Sequence, residues 1–279
     1  MGIKGVKMKF SISPYCLGDY LKNGSMNIKE YIEYCGQRKQ GFDAVDLGYF
    51  WKDEDEEVKQ TPKWLKENGL QMGSYIVGNE FTKPGKDERK AEVEKVKHAI
   101  DRAKQLDAQA MRIFYGYVRE GFPSYEDSKK TVIDCFKECC EHAEKQKVLL
   151  AFENHGNICA KTDEMQDFVK SIGSKNLKYC VDIGNFMQVK EDHIKAIKKF
   201  MPDAIMTHIK DNKKGGEKPI AWVLGEGDIN LKECLKIIKD SGFKGYNTIE
   251  YEGRTEPDQK VGLERSWKNT KQAAREIGG

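Results

Sequence analysis

Three carboxylates and one imidazole end successive apolar segments in the second half of the chain. They are Glu153 in FENHG, Asp182 in VDIGN, His208 in THIKD and Glu250 in IEYE. Burying one such charge is unfavourable without a partner, and three together raise one another's pKa values. A divalent cation removes both difficulties, and this oxygen and nitrogen set suits Mn2+, Mg2+, Co2+ or Zn2+. Four separate salt bridges, the alternative, would not explain why the residues recur at successive segment ends.

The segments that carry these residues belong to a series of eight with strand-like composition. They span residues 9–13, 44–48, 71–77, 111–115, 148–153, 178–183, 204–209 and 247–252. Between them, residues 27–40, 88–106 and 126–145 place apolar side chains at helical spacing. Strands that alternate with helices indicate parallel strands joined by crossovers. Eight units in 279 residues predict an α/β protein, a single (β/α)8 barrel domain over residues 1–279. An open doubly wound sheet is disfavoured because no GxGxxG turn follows an early strand.

Catalytic groups of such barrels lie at the carboxyl ends of the strands, where all four candidate ligands fall. In order and spacing, ENHG, VDIGN, HIKD, GEG and IEYE resemble the xylose-isomerase-like TIM barrels, the sugar phosphate isomerase/epimerase family with tagatose-3-epimerase-like members. The resemblance implies that the four residues bind one divalent metal ion, with Mn2+ expected. It also implies that Glu153 and Glu250 form the catalytic acid/base pair.

The chemistry that this resemblance implies is removal of a proton from the carbon next to a sugar carbonyl, through a metal-stabilised enediolate. Two carboxylates from non-neighbouring strands can take the proton on one face and return it on the other, which makes an isomerase or epimerase. The same first step can instead expel a β-substituent. A dehydratase or lyase acting on a keto sugar, inosose or keto-glycoside is therefore the main alternative.

Five further polar residues near the strand ends are candidate substrate-binding groups: His155, Asn185, Lys210, Glu226 and Glu252. Glu226 lies in a tight GEG loop expected to place its carboxylate near the barrel mouth. Four residues at or near the ends of the first four strands are expected to line the pocket: Tyr15, Asp46, Tyr75 and Arg112. The basic segment 210–218 would favour a phosphorylated sugar.

An endonuclease IV-like DNA repair enzyme is a distant alternative with the same architecture. It shares Glu153, Asp182, His208, Glu226 and Glu250. That enzyme type needs a three-metal cluster with further histidines, but Asn185 stands three residues after Asp182 and residues 71–77 contain no histidine. The balanced charge, 48 Lys and Arg against 45 Asp and Glu, also lacks the basic excess of a nucleic-acid binder.

Composition sets the remaining expectations. The mean hydropathy is −0.72 and no apolar run reaches the roughly 18 residues of a membrane span. The amino-terminal segment lacks the apolar stretch of a secretory signal. Eight cysteines without a CxxC pair indicate buried, reduced thiols. We therefore expect a cytoplasmic protein that binds a small sugar or sugar derivative, without nucleic-acid or membrane partners, and the resemblance implies a homodimer or homotetramer.

Overall fold

The computed structural model describes residues 7–37, 40–253 and 255–279. Its strands are β1 (Lys9–Ile12), β2 (Ala44–Leu47), β3 (Gln71–Ile76), β4 (Met111–Ile113), β5 (Leu150–Glu153), β6 (Leu177–Asp182), β7 (Ala204–Ile209), β8 (Asp211–Lys213), β9 (Ile220–Trp222) and β10 (Tyr246–Ile249). Eight of them form a parallel sheet in the order β1-β10-β7-β6-β5-β4-β3-β2. The Asp43 amide, just before β2, donates to the Phe10 carbonyl of β1 at 2.9 Å and so connects β1 and β2, the two ends of this order, at the seam of the barrel. The predicted (β/α)8 barrel is confirmed, and each predicted strand lies within a few residues of an observed one.

The helices follow the barrel strands, as the crossover connection requires. In the described residues they are α1 (Gly18–Lys22), α2 (Ile28–Gly36), α3 (Glu54–Glu67), α4 (Lys86–Gln105), α5 (Tyr125–Gln146), α6 (Thr162–Ile172), α7 (His193–Phe200), α8 (Leu231–Asp240) and α9 (Gln259–Glu276). The three predicted helices correspond to α2, α4 and α5, although residues 38–39 of the first lie outside the described residues. Side chains set several starts: Asn27 and Glu30 form a capping box for α2, and Ser124 accepts from the Asp127 amide to begin α5.

A buried polar cluster joins the strands on either side of the barrel seam. Asp46 Oδ1 accepts hydrogen bonds from Ser11 Oγ and the Ser74 amide, each at 2.9 Å, and Asp46 Oδ2 accepts from Thr248 Oγ1 at 2.9 Å. Burial raises the pKa of Asp46, and these hydrogen bonds oppose that shift. Asp46 therefore links β1, β2, β3 and β10 inside the barrel and is not among the residues that line the pocket.

An aromatic cluster packs α9 against the outside of the seam. The Trp267 ring stacks on Phe42 with centroids 4.6 Å apart and meets Phe10 edge-on at 5.1 Å. Its indole N–H donates to the Gln40 carbonyl. The packing therefore adds to the hydrogen bonds that hold β1 and β2 together at the seam.

The basic segment after β7 forms a hairpin. Residues 211–213 (β8) pair antiparallel with residues 220–222 (β9), so residues 214–219 are the turn of a small ribbon and not a simple loop. Among the described residues, all eight cysteines are buried and unpaired, and no helix is long and apolar enough to cross a membrane.

Candidate active site and metal centre

The four candidate ligands converge at the carboxyl end of the barrel. Glu153 and Asp182 are the last residues of β5 and β6, His208 is the penultimate residue of β7, and Glu250 follows β10 directly. None is more than 2% exposed, and one ligand atom from each lies within 4.8 Å of the others. The register of neighbouring strands contributes to this convergence, since Asp182 of β6 lies opposite His208 of β7.

The His208 Nδ1 atom lies among the three carboxylates. It is 2.8 Å from Glu153 Oε1, 3.3 Å from Glu250 Oε2 and 3.9 Å from Asp182 Oδ2. Within the described residues, Glu153 Oε2, Asp182 Oδ2 and His208 Nε2 are buried without a hydrogen-bond partner. Buried polar atoms almost always have hydrogen-bond partners, so these atoms have the capacity to bind a cation or a ligand. The donor set of three carboxylates and one imidazole fits a divalent cation.

Hydrogen bonds from neighbouring residues fix the orientation of Asp182. The Asn154 side chain binds both backbone groups of Asp182: it donates to the carbonyl and accepts from the amide, each at 2.9 Å. The Asp182 Oδ1 atom accepts from the amides of Gly184 at 2.8 Å and Asn185 at 3.0 Å. These contacts occupy one carboxylate oxygen, which leaves Oδ2 directed toward the cluster.

Two permanent cations are also buried in the cluster. The Arg112 guanidinium lies between the candidate acid/base residues, with Nε 3.4 Å from Glu153 Oε2 and Nη1 3.7 Å from Glu250 Oε1. The Lys210 ammonium is 2.9 Å from Glu250 Oε2 and 3.4 Å from Asp182 Oδ2. Both are at most 6% exposed, so they balance carboxylates that solvent does not reach.

These charges set the protonation of the two glutamates. Burial alone would raise the pKa of Glu153, but His208 and Arg112 hold it below its usual value. Burial likewise opposes ionisation of Glu250, whereas His208 and Lys210 lower its pKa well below the usual range. Both glutamates are therefore carboxylates at neutral pH, the form that accepts a proton. Asp182 differs, because burial and the two glutamates raise its pKa against the effect of Lys210.

A pocket of about 430 Å³ reaches the cluster at Glu250, Arg112 and Lys210, which line it, whereas Glu153, Asp182 and His208 are not among its lining residues. Its aromatic wall contains Tyr15, Tyr49, Phe114, Tyr117 and His155. The His155 ring stacks on Phe114 at 4.1 Å, and the Arg112 guanidinium carbon lies 4.4 Å from the centroid of the same Phe114 ring. Burial lowers the pKa of His155, so its neutral ring offers one donor and one acceptor. A pocket of this size and mixed lining suits a small polar organic molecule.

The structure brings some predicted substrate-binding residues to this pocket and leaves others outside. His155, Lys210 and Glu252 line it, and Lys210 Nζ lies 2.8 Å from Glu252 Oε2. Asn185 is 7% exposed and its Nδ2 atom has no partner among the described residues, but it is not part of the pocket lining.

Glu226 does not lie at the pocket, contrary to the expectation from the sequence. Asp211 explains the loop, because its carboxylate accepts from the Gly225 and Gly227 amides at 2.8 and 3.0 Å. These bonds hold the tight turn near the barrel mouth, while the exposed Glu226 side chain turns outward and pairs with Arg265 of α9. The GEG motif therefore binds Asp211, the neighbour of Lys210, through its backbone amides, and its own carboxylate does not line the pocket.

The pocket lining also differs in part from the sequence prediction. Tyr15 and Arg112 line it, whereas the Tyr75 hydroxyl donates to Glu54 at 2.8 Å on α3, away from the pocket. Asn79 and Glu80, which the prediction omitted, line the pocket just beyond the end of β3. The rule that strand ends supply functional groups would have identified both residues.

The chain belongs to the family described as the xylose isomerase-like TIM barrel, whose model matches residues 38–276. A solved structure entitled an IolI protein with a binding zinc atom superposes with a TM-score of 0.76 at 18% identity, covering 97% of this chain and 98% of that one. At that identity the likeness shows the shared fold.

Named relatives fall into more than one enzyme class. A putative L-ribulose-5-phosphate 3-epimerase, UlaE of Shigella dysenteriae, is 24% identical over 251 residues, 84% of this chain and 86% of that protein. Inosose dehydratase of Clostridium perfringens is 24% identical over 143 residues, 46% of this chain and 48% of that protein. The uncharacterised MJ1311 of Methanocaldococcus jannaschii is 28% identical over 169 residues, 58% and 57% of the two chains. The chain thus spans about half the length of the latter two relatives. Sugar epimerases and dehydratases are both among its homologues.

Proposed function

We propose that the protein is a divalent-metal-dependent sugar isomerase or epimerase that removes a proton from the carbon next to a carbonyl. The observation that carries the proposal is a buried cluster of four potential metal ligands, Glu153, Asp182, His208 and Glu250. Several of their oxygen and nitrogen atoms have no hydrogen-bond partner, and Glu250 lines the adjoining polar pocket. The match to a ribulose-phosphate epimerase over most of both chains supports this reaction class.

The metal would be held by these four residues, with Mn2+ the expected ion and Mg2+, Co2+ and Zn2+ the alternatives. The zinc in the IolI structure supports a site of this kind. When bound, the cation supplies Lewis-acid polarisation of the substrate carbonyl and stabilises the developing enediolate.

The protein's own side chains would carry the proton. In one direction, the Glu153 carboxylate would accept the proton from carbon, and Glu250, after taking up a proton from solvent, would return one to the opposite face, which inverts the centre. Release of the proton from Glu153 to solvent would complete the cycle. Arg112 contacts both carboxylates, so it stabilises the ionised form of each and fixes their relative positions. His155 and Lys210 line the pocket and are placed to hydrogen-bond substrate oxygens. Acid–base catalysis of this type contributes about 10²–10⁴-fold to the rate.

A dehydratase or lyase is the second candidate, favoured by the match to inosose dehydratase. The two reactions share proton abstraction by a glutamate and differ in the next step. In the second, the electron pair expels a hydroxyl or glycosidic oxygen at the β-carbon in place of reprotonation.

The test is incubation of the Mn2+-loaded protein with a panel of ketoses, inososes and keto-glycosides in D2O, followed by NMR. We expect deuterium at the carbon next to the carbonyl in both substrate and epimerised product. A double bond in the product identifies the lyase. Conversion without solvent deuterium, or no exchange with any member of the panel, contradicts the proposal.

A further inference from the structure

The outer part of the pocket contains two ion pairs from the segment after β3 and from α4. Glu80 and Lys83 follow β3, and Glu92 and Lys95 lie on α4. Lys83 Nζ is 3.6 Å from Glu80, and Lys95 Nζ is 3.5 Å from Glu92. The Glu92 carboxylate also accepts from the Glu80 amide at 3.0 Å, which links the two pairs.

In both outer pairs the carboxylate is more buried than the lysine. The Glu80 and Glu92 side chains are 12% and 18% exposed, whereas Lys83 and Lys95 are 32% and 48% exposed. Glu80 is further held by a salt bridge with Arg119, whose charge keeps the Glu80 pKa below its usual value against the effect of burial. A ligand that enters the pocket therefore meets the fixed, ionised Glu80 carboxylate on this wall, with the Glu92 carboxylate beside it.

The deeper cations of the pocket also form ion pairs with carboxylates. Arg112 contacts Glu153 and Glu250, and Lys210 contacts three carboxylates that include Glu252 at 2.8 Å. Among the described residues that line the pocket, four cations face four carboxylates, and each cation has a carboxylate partner within 3.7 Å. A phosphate dianion binds most tightly beside cations that lack a carboxylate partner, and each cation of this pocket already has one.

The basic segment 210–218 does not change this balance. Lys214 and Lys218 line a different cavity, beside Glu191 and Asp228, and Lys213 lies over the Trp222 ring at 4.6 Å. Of the lysines in this segment, Lys210 lines the pocket, where it contacts the carboxylates of Asp182, Glu250 and Glu252. The expectation of a phosphorylated substrate from this segment therefore lacks structural support.

We propose that the pocket selects an uncharged polyhydroxy carbonyl compound, an unphosphorylated ketose or keto-cyclitol, and discriminates against its phosphate ester. This inference rests on the proposed function, since it takes the sugar substrate as the ligand of the pocket. The alternating Glu80, Lys83, Glu92 and Lys95 groups offer acceptors and donors together, which matches hydroxyl groups that both donate and accept. The carboxylates repel a dianion at the same place.

Calorimetric binding to the full-length Mn2+-loaded protein tests the inference with matched ligands at fixed ionic strength. The probes are D-ribulose with D-ribulose 5-phosphate, D-fructose with D-fructose 6-phosphate, scyllo-inosose and inorganic phosphate. We expect at least one neutral compound to bind at least tenfold more tightly than phosphate or any ester, and tenfold more tightly than its own ester where it has one. Tighter or equal binding of the esters, competition by inorganic phosphate, or no binding of any neutral compound overturns the inference. Because the readout is binding and does not depend on turnover, failure of the solvent-exchange test leaves this result interpretable.

A charge-neutral variant identifies the wall responsible. Glu92→Gln keeps an acceptor for the Glu80 amide and removes one carboxylate charge from the pocket. We expect it to reduce the preference for the neutral compound at least threefold. Glu94→Gln is the matched control on the same helix, because Glu94 is exposed outside the pocket and pairs with Lys97. Equal preferences in the two variants contradict the assignment of this wall.

Discussion

Replacing Arg112 by methionine removes the guanidinium that lies between Glu153 and Glu250. Methionine keeps much of the side-chain volume and the contact with the Phe114 ring, but it leaves the two buried carboxylates without this cation. Removing one partner of a buried ion pair costs about 3–5 kcal/mol. For a domain of this size each kcal/mol lowers Tm by about 2 °C, so we expect a decrease of about 6–10 °C in EDTA.

The loss should be smaller when Mn2+ is present, because the bound cation supplies positive charge to the same carboxylates. Thermal unfolding followed by circular dichroism, with EDTA and with saturating Mn2+, measures both values. Arg265→Met is the control: Arg265 pairs with Glu226 and Glu256 at the surface, so its removal should leave Tm almost unchanged. An Arg112→Met protein that melts within about 2 °C of the wild type in EDTA would refute the charge-compensation argument.

Three further predictions concern catalysis, barrel closure and the thiols. Glu250→Gln should lower turnover by at least about 10²-fold in the exchange assay. The variant should keep the fold, because Lys210 retains contacts at 3.4 Å with Asp182 and 2.8 Å with Glu252. Wild-type turnover would exclude Glu250 as a catalytic group. Trp267→Ala should lower the free energy of unfolding, measured in urea, by about 3–5 kcal/mol, because it removes the ring between Phe42 and Phe10. A decrease below about 1 kcal/mol would show that this packing does not stabilise the closed barrel. All eight cysteines should resist Ellman's reagent at pH 8 in the native protein and react in guanidinium chloride. Burial limits access to the thiols and raises their pKa values, to about 12 for Cys234. Rapid labelling of the native protein would contradict their burial.

The order of strands and helices could be predicted from the sequence because its periodicity is strong. Apolar runs of five to seven residues alternate with amphipathic segments such as α4 and α5, and the barrel follows from eight such repeats. The convergence of Glu153, Asp182, His208 and Glu250 was also predictable, since a barrel brings the ends of all its strands to one mouth.

Loop side chains were harder to predict, because the strand-end rule fixes where a loop begins and not where its side chains point. Glu226 faces outward since Asp211 takes the Gly225 and Gly227 amides, a tertiary contact that no local pattern reveals. Arg112 was expected only to line the pocket. Its position between two glutamates depends on three strands, β4, β5 and β10, that are distant in sequence.

The most direct test of the metal centre is anomalous diffraction from crystals soaked in Mn2+, recorded at the manganese edge. We predict one strong peak per chain, surrounded by Glu153, Asp182, His208 and Glu250, and loss of that peak in the His208→Gln variant. A wild-type crystal without a peak among these residues, or a peak that persists unchanged in His208→Gln, would contradict the proposed metal site.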